Sequence, residues 1–145
     1  MQIFQVVGVH VRSWDEKDEL GHCLADRDLG EARKLAETLK IDLLELDCIE
    51  SYWNSVFDPF ILNRSKNIGF PTDQYCNSKI KFGDMLKKAA RKIDFDYFAT
   101  GHYAQTAERG NFKFMTQAED QNKDQTFYLS QLTEDQIKQV KLAPI

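Results

Sequence analysis

The sequence feature that most constrains the fold is a strand-helix-strand pattern near the start of the chain. Residues 4–11 form a short β-branched run that is typical of a buried strand. Ala32, Leu35, Ala36 and Leu39 then recur with helical spacing, and residues 41–48 return to a strand-like apolar run. This β-α-β pattern predicts two parallel strands joined by a right-handed crossover.

Further elements are predicted downstream of this unit. The pattern of apolar residues indicates a helix over residues 52–60, a helix over 77–93 and a strand over 95–100. Residues 63–74 have few apolar side chains and predict a loop that is long for a compact domain. Loops of this length are often functional, so we expect functional residues in or beside it.

The last part of the chain predicts a short hairpin, a polar loop and a final helix. The hairpin strands are expected at 103–106 and 112–115. Thr133 followed by Gln136 is a capping box that opens the final helix. The chain as a whole is therefore predicted to be an α/β protein with a parallel sheet and flanking helices.

Composition narrows the functional classes. A net charge of −4 with a pI near 5.4 excludes the overall basic character of many nucleic-acid binders, although a local basic strip is compatible with it. The sequence has no apolar run near the ~20 residues that span a bilayer, so we expect no membrane partner. Three cysteines without CxxC spacing argue against a disulfide scaffold, and no resident metal is expected.

Two predicted strand ends carry unusual residues. Parallel α/β sheets bind ligands beyond the carboxyl ends of their strands. One such end is followed by residues 12–15, and the other by Gly101 and His102. A glycine at this place allows close approach of the backbone to a nucleotide, but a simple turn explains it equally well on pattern alone.

Cys76 is the candidate reactive thiol. It is predicted to open the helix that follows the long loop, where the helix N-terminus, Lys79 and Lys81 would lower its pKa. The alternative interpretation is that Cys76 is inert packing. Cys23 and Cys48 are assigned to that inert class.

The polar segment 122–125 is the candidate nucleic-acid contact. A lysine beside hydrogen-bonding side chains suits a phosphate or a base edge, although a solvated loop explains it equally well. The histidines show no metal-ligand spacing, and His102 is the one that we place near a site.

Read together, these segments resemble the tRNA-specific 2-thiouridylases of bacteria and mitochondria. The matching strings occur in the family's order along nearly the whole chain. They are VRSWD at 11–15, CLADRD at 23–28, YWNSVF at 52–57, CNSKIKFG at 76–83, ATGHY at 99–103 and NKDQTFYLSQL at 122–132.

The resemblance implies an adenine-nucleotide α-hydrolase fold, also called a PP-loop ATPase fold, and an ATP-dependent reaction. In such enzymes ATP, with magnesium, adenylates C2 of the wobble uridine U34, and a cysteine persulfide supplies the sulfur. Cys76 corresponds to the catalytic cysteine that attacks the persulfide during sulfur release, and a disulfide bond belongs to this chemistry. Val11 and Gly101 correspond to ATP contacts.

The resemblance also implies macromolecular partners. Lys123, Asp124 and Gln125 match a tRNA-contacting string, and Pro71, Thr72 and Asp73 occupy the place of a string that contacts the target base. The expected partners are tRNAs of the lysine, glutamate and glutamine type and a sulfur-donor protein that carries a persulfide. The acidic segment 15–22 favours a mitochondrial over a cytoplasmic location.

The sequence departs from the family pattern in ways that bear on activity. The string Ser-Gly-Gly-x-Asp-Ser, which holds the pyrophosphate, would precede residue 1, and the persulfide-carrying cysteine would follow residue 145. The chain is thus interpreted as an N-terminally truncated nucleotide-binding domain over 1–106, followed by the start of a tRNA-binding or linker region over 107–145. We expect this chain alone to be inactive in thiolation.

Two alternatives stay open at this point. One is a non-catalytic remnant that binds tRNA or a partner protein. The other is a related ATP pyrophosphatase acting on a small substrate, which the tRNA-contacting string at 122–132 argues against.

Overall fold

The computed structural model describes residues 4–15 and 23–142, so most of the acidic segment behind the mitochondrial interpretation lies outside the described residues. The strands are β1 (Val7–Arg12), β2 (Asp42–Asp47), β3 (Phe98–Thr100), β4 (Gln105–Arg109), β5 (Phe112–Thr116) and β6 (Val140–Leu142). The α-helices are α1 (Leu24–Leu39), α2 (Ile49–Tyr52), α3 (Asp58–Ser65), α4 (Thr72–Tyr75), α5 (Met85–Ala90) and α6 (Glu134–Lys138). Two π-helical segments, π1 (Trp53–Phe57) and π2 (Cys76–Asp84), lie between α-helices, and a 3₁₀ turn spans Thr126–Leu129.

The predicted β-α-β unit is confirmed. β1 pairs in parallel with β2, from Val7 opposite Asp42 to Arg12 opposite Asp47. The helix α1 connects these strands. The Arg33 guanidinium donates two hydrogen bonds to the Glu45 carboxylate, at 2.6 and 2.9 Å. This ion pair between exposed groups fixes α1 over β2, although exposed pairs stabilise a fold only modestly.

The parallel strands form two separate pairs. β3 pairs in parallel with β6, and this pair is not hydrogen-bonded to the β1-β2 pair. The strand β6 was missed because its three residues follow directly on a predicted helix and are too few to show a period. The predicted hairpin is confirmed as β4 and β5, which pair antiparallel around Gly110 at φ +63°.

Two apolar clusters form the core. Both include side chains of the continuous helix that α4, π2 and α5 form together. The first consists of Leu46, Cys48, Val56, Ile80, Met85 and Ala89, and the second of Phe82, Leu86, Ala104, Leu129 and Val140. Phe95 and Phe98 pack against both clusters. The β1-β2 and β3-β6 pairs are therefore held together by side-chain packing, since their backbones are not joined.

The apolar stripe of α1 is only partly used. Ala36 is buried, as the periodicity predicts, but Leu35 and Leu39 are more than half exposed. The helix itself is correctly predicted.

The central helices are longer than predicted, and the loop between them is shorter. Helical structure continues from Ile49 to Ser65 and starts again at Thr72, which leaves residues 66–71 as the loop instead of 63–74. The predicted capping box is confirmed, because the Gln136 N–H donates to the Thr133 hydroxyl and the Thr133 N–H donates to the Gln136 side chain.

Candidate active site around Cys76

Cys76 lies inside a continuous helix and not at its start. Pro71 precedes the first turn, α4 begins at Thr72, and π2 begins at Cys76 without a break. The predicted position at the helix N-terminus was wrong, because no separate pattern marks the single turn of α4. Cys76 is therefore too far along the helix to receive the full effect of the terminal N–H groups, which falls off within the first turn.

The thiol of Cys76 is half-buried and packs against the first core cluster. Burial raises the pKa of Cys76, the nearby Asp73 raises it further, and Lys81 acts in the opposite direction. The expectation of a lowered pKa was therefore wrong, because the cost of removing a thiolate from water outweighs the lysine. Burial raises the pKa of the Tyr52 phenol, and the charges of Cys76 and Asp73 raise it further.

His102, two residues beyond the end of β3, contacts Lys81 of the Cys76 helix. The His102 Nδ1 lies 2.9 Å from the Thr100 hydroxyl, and its Nε2 lies 3.5 Å from the Lys81 ammonium. Burial and the positive charge of Lys81 lower the pKa of His102 to about 4. The imidazole is therefore neutral at physiological pH, and Lys81 connects the Cys76 helix to the strand end at Gly101.

The two predicted ATP contacts differ in their surroundings. Gly101 is exposed, and a Cβ there would meet nothing within 4 Å, so its backbone is open to a ligand. Val11 lies in β1 with its side chain against the first core cluster, which leaves its backbone as the part available for contact. These positions fit a nucleotide held by backbone at strand ends, but the sequence contains no Ser-Gly-Gly string for its phosphates.

The predicted base-contacting residues lie at the N-terminus of α4. Pro71 is its N-cap residue, and Thr72 and Asp73 are its first two residues. Thr72 lines a cavity of about 270 Å³ whose other walls are Trp14, Tyr52, Val56, Phe57 and Phe60. Trp14 stacks on Trp53 at 4.9 Å with an angle of 8° between the rings. Tyr52 of this cavity and Cys76 both pack against the first core cluster.

The predicted tRNA-contacting residues are used in different ways. Asp124 accepts hydrogen bonds from the Thr126 hydroxyl at 2.6 Å and the Thr126 N–H at 2.9 Å, which lower its pKa. Gln125 is paired with Tyr103 in both directions, with its N–H donating to the Tyr103 carbonyl and its Oε1 accepting from the Tyr103 N–H. Lys123 is exposed, with its ammonium 5.4 Å from the centre of the Tyr103 ring.

Two polar residues that were not predicted join the Cys76 helix to the segment that follows Gln125. The Gln74 amide donates to the Phe127 carbonyl at 3.0 Å, and the Asn77 amide donates to the Tyr128 carbonyl at 2.9 Å. Both side chains are more than nine-tenths buried. Gln74 and Asn77 are three residues apart, so they share one face of the helix. Polar side chains on a buried face require hydrogen-bond partners, and this spacing could have indicated that another segment packs there.

A basic cleft was also missed. Lys113, Lys138 and Lys141 line a cleft of about 390 Å³ between the hairpin and α6. Lys138 and Lys141 are three residues apart, but Lys113 comes from the hairpin, so no charge run marked the three together. Glu108 also lines the cleft and Lys138 is paired with Glu134 at 2.8 Å, so part of its positive charge is neutralised.

The other two cysteines are buried, as predicted. Cys48 has no exposed surface, and burial raises its pKa to about 11. All three cysteines are free, so the disulfide bond that the resemblance implied is not formed within this chain. Within residues 4–15 and 23–142, no group of side chains has the arrangement of a metal site, and no helix is long and apolar enough to cross a membrane.

Parallel strand pairs, flanking helices and a candidate site at a strand end define an α/β protein of the HUP class, to which PP-loop ATPases belong. The whole chain, residues 1–145, matches the family model described as the tRNA methyl transferase HUP domain. The chain belongs to this family.

Curated relatives carry a more specific name. Proteins called tRNA-specific 2-thiouridylase MnmA are similar to this chain in Lactobacillus helveticus (39% identical over 140 residues), Buchnera aphidicola (36% over 142 residues) and Listeria monocytogenes (36% over 143 residues). These matches cover 96–98% of this chain but 37–38% of each relative. The chain thus spans a little over a third of the length of the relatives that it matches.

Proposed function

We propose that the complete protein is a tRNA 2-thiouridylase, which replaces the C2 oxygen of wobble uridine U34 with sulfur. The observation that carries this proposal is the grouping of the Cys76 thiol, the Lys81 ammonium and the His102 imidazole beside the open backbone of Gly101. The name shared by relatives at 36–39% identity supports thiolation over the methyl transfer in the family description.

Cys76 is the proposed nucleophile of sulfur release. The terminal sulfur of a donor persulfide first bonds to C2, and the activated oxygen leaves. The Cys76 thiolate then attacks the inner sulfur of the donor, so that the sulfur–sulfur bond to the nucleoside breaks and 2-thiouridine leaves. A disulfide between Cys76 and the donor cysteine remains, which places the disulfide of this chemistry between Cys76 and a residue that this chain does not supply.

ATP is the proposed cofactor, with magnesium, and it supplies the adenylate that makes the C2 oxygen a leaving group. The backbone of Val11 and Gly101 would contact the nucleotide. Its phosphates need a nest of backbone N–H groups, which the relatives' additional length has room to supply. The chain alone is therefore proposed to be inactive, with residues 1–106 as the partial nucleotide-binding part and 107–145 as the start of the tRNA-binding region.

The proposed partner is tRNA, of the lysine, glutamate or glutamine type, together with a persulfide donor. The aromatic cavity beside Thr72 supports recognition of an unstacked base, since bases out of the helix stack on aromatic side chains. Lys123 is proposed to contact the phosphate backbone, whereas Gln125 holds the loop against Tyr103 and Asp124 holds it by accepting hydrogen bonds from Thr126. The relatives named above are bacterial, so the mitochondrial location stays a prediction.

A chimeric enzyme tests the proposal directly. This chain would replace the matching segment of the Lactobacillus helveticus relative, and 2-thiouridine in tRNA would be measured by mass spectrometry. We expect thiolation by the chimera and none by its Cys76→Ala variant, with Cys48→Ala as the matched control that keeps activity. Thiolation by the Cys76→Ala chimera would refute the assigned nucleophile.

The second candidate is a tRNA-binding protein without catalysis. It is favoured by one observation: Cys23 and Cys48 are buried, so neither is placed to carry a persulfide for Cys76. The test is a gel shift of tRNA with this chain at several salt concentrations. Binding that weakens with salt and on Lys123→Ala, with no need for ATP, would support it, and binding unaffected by Lys123→Ala would count against it.

A further inference from the structure

The π-helical geometry of π2 gives Lys81 an unusual position. A π-helix is hydrogen-bonded from residue i to residue i+5, so residues five apart lie one turn above each other. Lys81 is the fifth residue after Cys76, and both belong to π2. In a regular α-helix these residues would point in different directions, because 3.6 residues make one turn.

The contacts of His102 determine where its proton lies. A lysine ammonium donates hydrogen bonds and accepts none, so its contact of 3.5 Å with Nε2 favours the tautomer whose lone pair is on Nε2. The proton is then on Nδ1, from which it is donated to the Thr100 hydroxyl at 2.9 Å. The imidazole is thus held as one neutral tautomer with the ammonium at its acceptor nitrogen.

The titratable groups near Cys76 come from three elements. Lys81 lies on its own helix, Asp73 lies one turn earlier in α4, and Tyr52 comes from α2. Of these groups, Lys81 stabilises a thiolate, whereas a charged Asp73 opposes it. The neutral His102 adds no second positive charge that would push Lys81 away.

We propose that Lys81 is a positioning residue, which holds one ammonium between the Cys76 sulfur and the neutral His102 imidazole and so supports the thiolate form of Cys76. The π-helical turn is what allows one lysine to serve both groups. This inference rests on the proposed function for its purpose, but the charge arrangement is a property of this chain without tRNA or ATP. It can therefore be tested separately.

The first test is the pH dependence of Cys76 alkylation by iodoacetamide, followed by peptide mass spectrometry. We expect Lys81→Met to move the midpoint to higher pH and to slow alkylation below that midpoint by roughly 3- to 10-fold, since an opposite charge nearby typically shifts a pKa by about one unit or more. Lys81→Arg keeps the charge and is expected to restore most of the rate. Lys79→Met, on the exposed side of the same helix, is the matched control.

The second test is the NMR titration of His102, whose pKa is expected near 4 in the unmodified chain. Removing the Lys81 charge should raise this value, while burial keeps it below the ordinary 6.5. Lys81→Gln serves in place of Lys81→Met if the latter does not fold. Unchanged midpoints for both Cys76 and His102 in a folded, uncharged variant would overturn the proposal.

These outcomes are distinguishable from failure of the proposed function. A chimera that does not thiolate tRNA, in a chain whose Cys76 and His102 midpoints shift as expected, would leave the lysine arrangement intact and remove the reaction. A chimera that thiolates equally well with Lys81→Met, and shows no shift of either midpoint, would keep the reaction and remove the role of Lys81.

Discussion

The two faces of π2 follow different physical rules. On the inner face, Ile80 and Phe82 are almost completely buried, and their role is packing. Cys76 and Lys81 are half-buried and carry the candidate chemistry on a second face. One helix therefore packs against the core on one face and carries reactive and charged side chains on the other. Substitutions on the first face should lower the stability of the fold, and substitutions on the second should change the chemistry of the candidate site.

The largest effect is expected from Phe82→Ala. Phe82 is 2% exposed, and its ring lies 6.1 Å from Phe98 and 5.4 Å from His102. The substitution should lower the free energy of unfolding by about 3–5 kcal/mol, because it leaves a cavity in the core. Urea denaturation measures the loss. Lys79→Ala, an exposed position of the same helix, should change stability by less than about 0.5 kcal/mol, and equal losses for both variants would abolish the distinction between the two faces.

The next effect is expected from Gly83→Ala. A Cβ at Gly83 would lie 2.9 Å from the Ser78 carbonyl oxygen, which already accepts a hydrogen bond from the Gln136 amide. The backbone must shift, and we expect a loss of about 1–3 kcal/mol. Gly30→Ala is the matched control, because α1 leaves free space there and alanine should stabilise the helix by about 0.4–1 kcal/mol. Thermal denaturation of the two variants should therefore shift in opposite directions.

A pH-dependent effect is expected at His102. Its pKa in the folded chain is about 4, below the ordinary 6.5, so the unfolded chain binds the proton more readily. Stability should therefore be full above pH 6.5 and should fall as the pH drops from about 6.5 to about 4. His102→Gln should flatten this part of the curve of melting temperature against pH. A variant with the same slope as the unmodified chain would show that another group is responsible.

The sequence predicted the elements that have a regular period and missed those set by tertiary contacts. The β-α-β unit, the hairpin and the capping box at Thr133 all follow from local rules, and all are confirmed. The π-helical turn of π2 has no local signature. Gln136, far along the chain, donates to the Ser78 and Phe82 carbonyls within this turn.

The candidate site shows the same division. The residue types at Cys76, Gly101 and Lys123 marked them from sequence, but their surroundings could not be predicted. The pKa of Cys76 depends on burial against residues that are distant in sequence, so the expected direction was wrong. The aromatic cavity combines Trp14 with side chains of α2, π1 and α3, and strand and helix periods do not predict which of them meet.

The smallest stability effect, and the one that separates packing from chemistry, is expected for Cys76→Ala. Cys48 and Cys76 contact the same core cluster, but Cys48 has no exposed surface. Removing a fully buried sulfur should therefore cost about 1 kcal/mol, since the surrounding side chains collapse only partly, whereas Cys76→Ala should cost less than about 0.5 kcal/mol. In the chimeric enzyme the order should reverse, with thiolation lost for Cys76→Ala and kept for Cys48→Ala. If Cys76→Ala destabilised the chain as much as Cys48→Ala and both variants kept thiolation, Cys76 would act as packing and not as the nucleophile.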